Sequence, residues 1–120
     1  MIDIPILKLN SNLIASIQTE LTDNEAIAFQ AKLLKQNSQF STCGVIIDVS
    51  LLEIMDSFMA KVLSDITLML KIQGSEVVIC GIQPHVAITL QEMGMALTVS
   101  KTFLSLEHAF NYLTDKQIRA

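Results

Sequence analysis

Residues 44–60 read Gly-Val-Ile-Ile-Asp-Val-Ser-Leu-Leu-Glu-Ile-Met-Asp-Ser-Phe-Met-Ala, a strand, loop and helix start around which the rest of the chain is arranged. Val45 to Val49 is rich in β-branched side chains, too short for a stable helix and too apolar for a half-exposed strand. Such a run is a strand covered on both faces, the kind found in parallel sheets sandwiched by helices. After a short loop, Asp56 or Ser57 caps a helix that is expected to run to Gln73, with Gly74 as its stop.

Upstream, Ile4 to Leu9 and Leu13 to Ile17 are short apolar runs separated by Asn10-Ser11-Asn12, whose side chains favour turns, so a β-hairpin is expected. Thr22 stands three residues before Glu25, the spacing at which each side chain satisfies the other's free backbone N–H. This pair opens a helix over roughly Asp23 to Ser38, with Ala26, Phe29, Leu33 and Leu34 facing inward. Downstream, Val77 to Cys80 is a second buried strand ended by Gly81. Gln83-Pro84 starts a helix with Val86, Ala87, Leu90 and Met93 inward and Gly94 as its stop. Ala96 to Val99 forms a last short strand, and Ser105 caps a final helix carrying Leu106, Ala109, Phe110 and Leu113. Hairpin, helix and three rounds of strand and helix with short links predict an α/β domain. Its sheet is mixed but mostly parallel, with an N-terminal hairpin and about four packed helices. No repeat, linker or low-complexity stretch interrupts 1–120, so one domain is expected.

Of the 120 residues, 51% are apolar and only 5% aromatic, so the core is built from aliphatic side chains. No apolar run approaches the roughly 18 residues of a membrane span. The first nine residues, with Asp3 and Pro5, lack the basic start and apolar centre of a secretory leader, which predicts a cytoplasmic protein. In that compartment Cys43 and Cys80 are expected to be reduced and largely buried thiols. Net charge −4 without a basic cluster argues against nucleic acid and anionic membrane as partners.

The residues for catalysis or cofactor binding are missing. The four glycines are dispersed and punctuate elements, where a nucleotide loop gathers several between a strand and a helix. His85 and His108 fall on different helices with no Cys-x-x-Cys nearby, which leaves no metal signature. Ser57 lacks the glycine-flanked elbow of a hydrolase nucleophile. His85, near a helix start, reads as a solvated surface residue, with a phosphocarrier histidine as the other option. No catalytic residue, cofactor or metal is assigned.

The helix after Ser57 gives an independent signal. Met59, Val62, Leu63, Ile66, Met69 and Leu70 form its inner face. Leu68 falls on the outer side with Ser57, Lys61 and Ser64, and Ile72 lies near the border beside Asp65. An outward leucine beside a helix-start serine points to a binding surface.

Val45 to Ala60 resembles the phosphorylation-site region of STAS domains, the fold of bacterial anti-sigma factor antagonists. The likeness extends to three separated motifs: Ile4-Pro5-Ile6-Leu7-Lys8-Leu9, Ile54 through Leu63, and Gly81-Ile82-Gln83-Pro84 followed by Val86-Ala87 and Thr89-Leu90. Many antagonists carry small residues after the serine. Phe58-Met59-Ala60 departs from that pattern and resembles the stressosome scaffold subgroup. The resemblance implies a non-enzymatic scaffold in a large oligomer with RsbR-type STAS paralogues. Such a scaffold holds an RsbT-type switch kinase, releases it in the general stress response when Ser57 is phosphorylated, and is reset by a cognate phosphatase. Asp56, Ser57, Phe58, Lys61, Ser64 and Leu68 are its expected partner-binding residues. The alternative is a small-ligand or nucleotide-binding STAS-like regulatory domain, because open α/β sheets offer crevices beyond their strand ends.

Overall fold

The hairpin forms where its turn residues place it. In the computed structural model, which describes residues 4–40, 42–92 and 101–119, β1 (Ile6–Leu9) and β2 (Asn12–Ser16) pair antiparallel with Leu9 opposite Asn12. Asn10 takes the tight turn at φ 56°, a left-handed conformation that asparagine tolerates better than most residues. Helix α1 (Asp23–Phe40) opens on the expected reciprocal pair: Glu25 N donates to Thr22 Oγ1 at 3.2 Å, and Thr22 N donates to Glu25 Oε1 at 2.9 Å. There follow β3 (Gly44–Asp48), α2 (Ser57–Ile72), β4 (Glu76–Cys80), α3 (Pro84–Glu92), β5 (Lys101–Phe103) and α4 (Leu106–Arg119). The strand expected at Ala96 to Val99, like Met93 and Gly94, lies outside the described residues; the last described strand begins at Lys101.

The five strands lie in the order β1-β2-β3-β4-β5, antiparallel at the first pair and parallel at the others. A sheet that adds its parallel strands in chain order, with crossovers of one hand, places every crossover helix on the same face. Accordingly Leu13, Ala15, Val45, Ile47, Val77 and Ile79 point into one core with Phe29 and Leu33 of α1, Leu63 and Ile66 of α2, and Val86 and Leu90 of α3. The alternate residues Ile14, Ile46, Val78 and Cys80 point the other way, against Ala109 and Leu113 of α4.

Three inward expectations are shifted. Ala87 is exposed, since Val86 and Leu90 alone carry the buried side of the short α3. Leu106, at the first position of α4, is 38% exposed. Met69 is also 38% exposed, because the buried arc of α2 is turned toward Ala60 and Thr67. The Thr67 hydroxyl is satisfied within the helix by the Leu63 carbonyl at 2.8 Å. Cys80 is buried, but Cys43 is exposed, contrary to expectation: it immediately precedes β3 and lies in the wall of an open groove at that end of the sheet. A polar cluster unforeseen in the sequence joins the ends of α1 and α2: buried Asn37 donates to Gln73 Oε1 at 2.8 Å and Ser75 Oγ at 2.9 Å, and accepts from Thr42.

Candidate functional site

The segment from Val49 to Ser57 leaves the carboxyl end of β3 and climbs into α2. It starts as a tight turn, with Leu52 N bonded to Val49 O at 3.0 Å and Ser50 N to Asp48 Oδ1 at 2.9 Å. Leu52 and Met55 plug into the core, whereas Leu51 and Ile54 stand 61% and 64% exposed. A loop that alternates plugs and exposed apolar tips is pinned from below and presents a hydrophobic rim above.

Between the two candidate caps, the geometry selects Asp56. Its backbone is extended, and its carboxylate accepts from Met59 N at 2.8 Å, satisfying one of the free N–H groups of the first turn. Ser57 is therefore the first helical residue, exposed, with its hydroxyl released from capping. The helix start supplies partial positive charge at this spot.

The other expected partner-binding residues continue along the same side. Lys61 is exposed and pairs with Asp65 at 3.2 Å, and Leu68 is 51% exposed. Ser64 is half-buried, and Phe58 turns partly inward to pack against the main core. Ile72, at 77% exposure, extends the apolar surface toward the end of the helix. The structure thus brings Ser57, Lys61 and Leu68 onto one open stripe, with Asp56 at its head and Phe58 and Ser64 at its flanks.

Two neighbouring features were not singled out in the sequence. The loop is backed by the β4–α3 segment: Gly81 packs on Ser50, Gln83 Nε2 donates to Ser50 O at 2.8 Å, and His85 Nε2 donates to Glu53 O. His85 is thus an exposed residue with an engaged ring, and nothing in a lone histidine's spacing announces a carbonyl partner across the sheet. Second, Asp48 reaches Cys80 on the adjacent strand. Burial, followed by the Asp48 charge and hydrogen bond, pushes the Cys80 thiol up to about 12, so it stays protonated and unreactive at neutral pH.

A cavity of about 50 Å³ beside Asp56, lined by Ile17, Glu20, Leu52 and Met59 among others, is too small for a nucleotide. A larger groove of about 450 Å³ lies at the opposite end of the sheet, with Cys43, Lys71, Glu76, Leu113 and Lys116 in its walls. No group of three or more His, Cys, Asp or Glu side chains suited to a metal occurs among the described residues. Among the same residues no helix is long and apolar enough to cross a membrane.

A five-stranded mixed sheet with an N-terminal antiparallel hairpin, and an exposed serine opening the helix after the third strand, define a class. The chain belongs to the STAS domain family, whose model matches residues 3–109. Within it, the chain is similar to RsbS of Moorella thermoacetica, solved with a serine-to-glutamate substitution: 35% identity, TM-score 0.85, covering 95% of this chain and 97% of that one. A chain from a structure of the stressosome, described as a signal integration and transduction hub, is 36% identical with TM-score 0.82, covering 94% of this chain and 98% of that one. The unphosphorylated anti-sigma factor antagonist SpoIIAA shares the fold at TM-score 0.71 and 13% identity, covering 93% of this chain and 98% of that one. No curated protein sequence matches the chain.

Proposed function

We propose that this chain is one STAS domain over 1–120 that acts as a cytoplasmic, non-enzymatic anti-sigma factor antagonist of the stressosome-scaffold kind. In this reading it assembles with RsbR-type paralogues into a large complex and holds an RsbT-type switch kinase. Phosphorylation of Ser57 releases the kinase, and a cognate phosphatase resets the site. The observation that carries the reading is the division of labour at the start of α2. Asp56 takes the cap, which leaves the Ser57 hydroxyl exposed and available for transfer. Likeness at about one-third identity over nearly the whole length, to RsbS and to a chain of a stressosome structure, supports the assembly role.

The docking face in this reading comprises Asp56, Ser57, Phe58, Lys61, Ser64 and Leu68, extended by the exposed tips Leu51 and Ile54. Incubation with an RsbT-type kinase, ATP and Mg²⁺, followed by peptide mapping, is expected to place phosphate on Ser57. Phosphate mainly on Ser50 or Ser64 overturns the assignment. Size determination with an RsbR-type partner present is expected to give a large complex, and a persistent monomer contradicts the scaffold role.

The groove of about 450 Å³ favours a second reading, small-ligand binding, because its volume falls in the range of small-molecule sites. Thermal-shift titration with nucleotides separates the two: strong stabilisation at micromolar ligand supports the second.

A further inference from the structure

We infer that Gln83 and His85 are positioning residues that hold the Val49–Asp56 loop in the shape from which Ser57 is phosphorylated, so that α3 is coupled to the modification site. The inference rests on the reading of Ser57 as the residue modified.

Gln83 Nε2 reaches the carbonyl of Ser50 at 2.8 Å, and His85 Nε2 reaches the carbonyl of Glu53. The two acceptors bracket the exposed Leu51, and both donors come from one short stretch at the start of α3. Water would satisfy the same surface carbonyls without ordering two side chains. Direct bonds from a neighbouring element instead tie the loop to it. A carbonyl can only accept, so His85 carries a proton on Nε2, a condition met by one neutral tautomer and by the imidazolium alike.

Gly81 completes the arrangement from beneath. At φ +79°, it lets the β4–α3 backbone approach the Ser50 backbone closely enough to bring both donors into range. The loop then delivers Asp56 to its cap and Ser57 to the helix start. A kinase must align that hydroxyl with a phosphoryl group, and small displacements of a reacting atom are costly in rate. A change at α3, from substitution or from a partner seated there, is therefore transmitted to Ser57 through two hydrogen bonds.

The test uses the full chain with Gln83→Met, His85→Phe, both together, and His85→Gln, whose amide nitrogen reaches about as far as the ring nitrogen it replaces. Two quantities are measured: amide hydrogen exchange over residues 50–56, and kcat and KM for Ser57 phosphorylation by an RsbT-type kinase with ATP and Mg²⁺. Each single loss is expected to speed loop exchange about fivefold, with exchange in β2 and β3 unchanged, and to lower kcat/KM by a similar factor. His85→Gln is expected to keep wild-type values. Unaltered loop exchange in the double variant overturns the inference, as does faster exchange with unaltered kcat/KM. Absence of phosphate from Ser57 in the wild type removes the functional reading instead, and the exchange result still decides whether the two side chains hold the loop.

Discussion

Gly81 and Ser50 are in backbone contact: a Cβ on Gly81 would stand 2.5 Å from Ser50 Cβ, 2.8 Å from its Cα and 2.9 Å from its nitrogen. With φ at +79°, the position rejects a side chain for both conformational and steric reasons. Gly81→Ala is expected to cost about 2–3 kcal/mol, read as a fall of about 10 °C in Tm for a domain of this size. Adding Ser50→Gly removes the nearest contact and should recover part of the loss. An unchanged Tm for Gly81→Ala would show that the approach is not constrained.

The cap at Asp56 makes a sharper distinction than composition can. Asp56→Ala should lower stability by about 1 kcal/mol, while Asp56→Asn, which keeps an accepting oxygen, should cost no more than a few tenths of that. Ser57→Ala should be nearly neutral, because the Ser57 hydroxyl is not the cap. Chemical denaturation of the three variants checks the ordering, and a larger loss for Ser57→Ala would reassign the cap.

Phosphate on Ser57 adds about 1.5 to 2 negative charges beside Asp56, at a helix start whose free N–H groups offset part of the repulsion. The fold is expected to persist, with circular dichroism unchanged. For a kinase fitted to a neutral hydroxyl, a loss of about 3 kcal/mol weakens binding more than a hundredfold. Ser57→Ala should therefore retain the kinase and Ser57→Asp should hold it less well. Equal kinase affinities for unmodified and enzymatically phosphorylated protein would eliminate release by phosphorylation.

The two cysteines should behave oppositely. An alkylating reagent at pH 8 is expected to label Cys43 in the native protein and Cys80 only after denaturation, as read by mass spectrometry of the labelled peptides. The thiol of Cys80, raised from 9.0 to about 12, holds its proton in the folded state at pH values where the unfolded chain has lost it. Its stabilising contribution is complete below about pH 9 and declines as pH rises from there toward 12, by about 1.4 kcal/mol per pH unit within that window. Cys80→Ala should flatten the stability profile relative to wild type across that interval, and parallel profiles would contradict the shift.

Every described element except β5, and their order, is legible in the chain alone, because local chemistry suffices for them. Asn10 turns the hairpin, Thr22 and Glu25 open α1, Val45 to Asp48 form a β-branched strand covered on both sides, and Pro84 starts α3. The family likeness was legible too, since each of its three separated motifs is a short local stretch of the chain. Alternatives separated by a single residue or by a helix face were settled by the tertiary structure. Asp56 rather than Ser57 became the cap through one hydrogen bond to Met59, and Thr67 entered the core while Met69 moved to its edge as α2 settled against its neighbours. Cys43 remained outside because it lies in the wall of the open groove beside the start of β3. The approach of Gly81 to Ser50, and the bonds from Gln83 and His85 to the loop, join residues about thirty positions apart. No local rule relates residues at that separation; the parallel pairing of β3 with β4 places their carboxyl ends side by side, and packing then brings the two loops into contact.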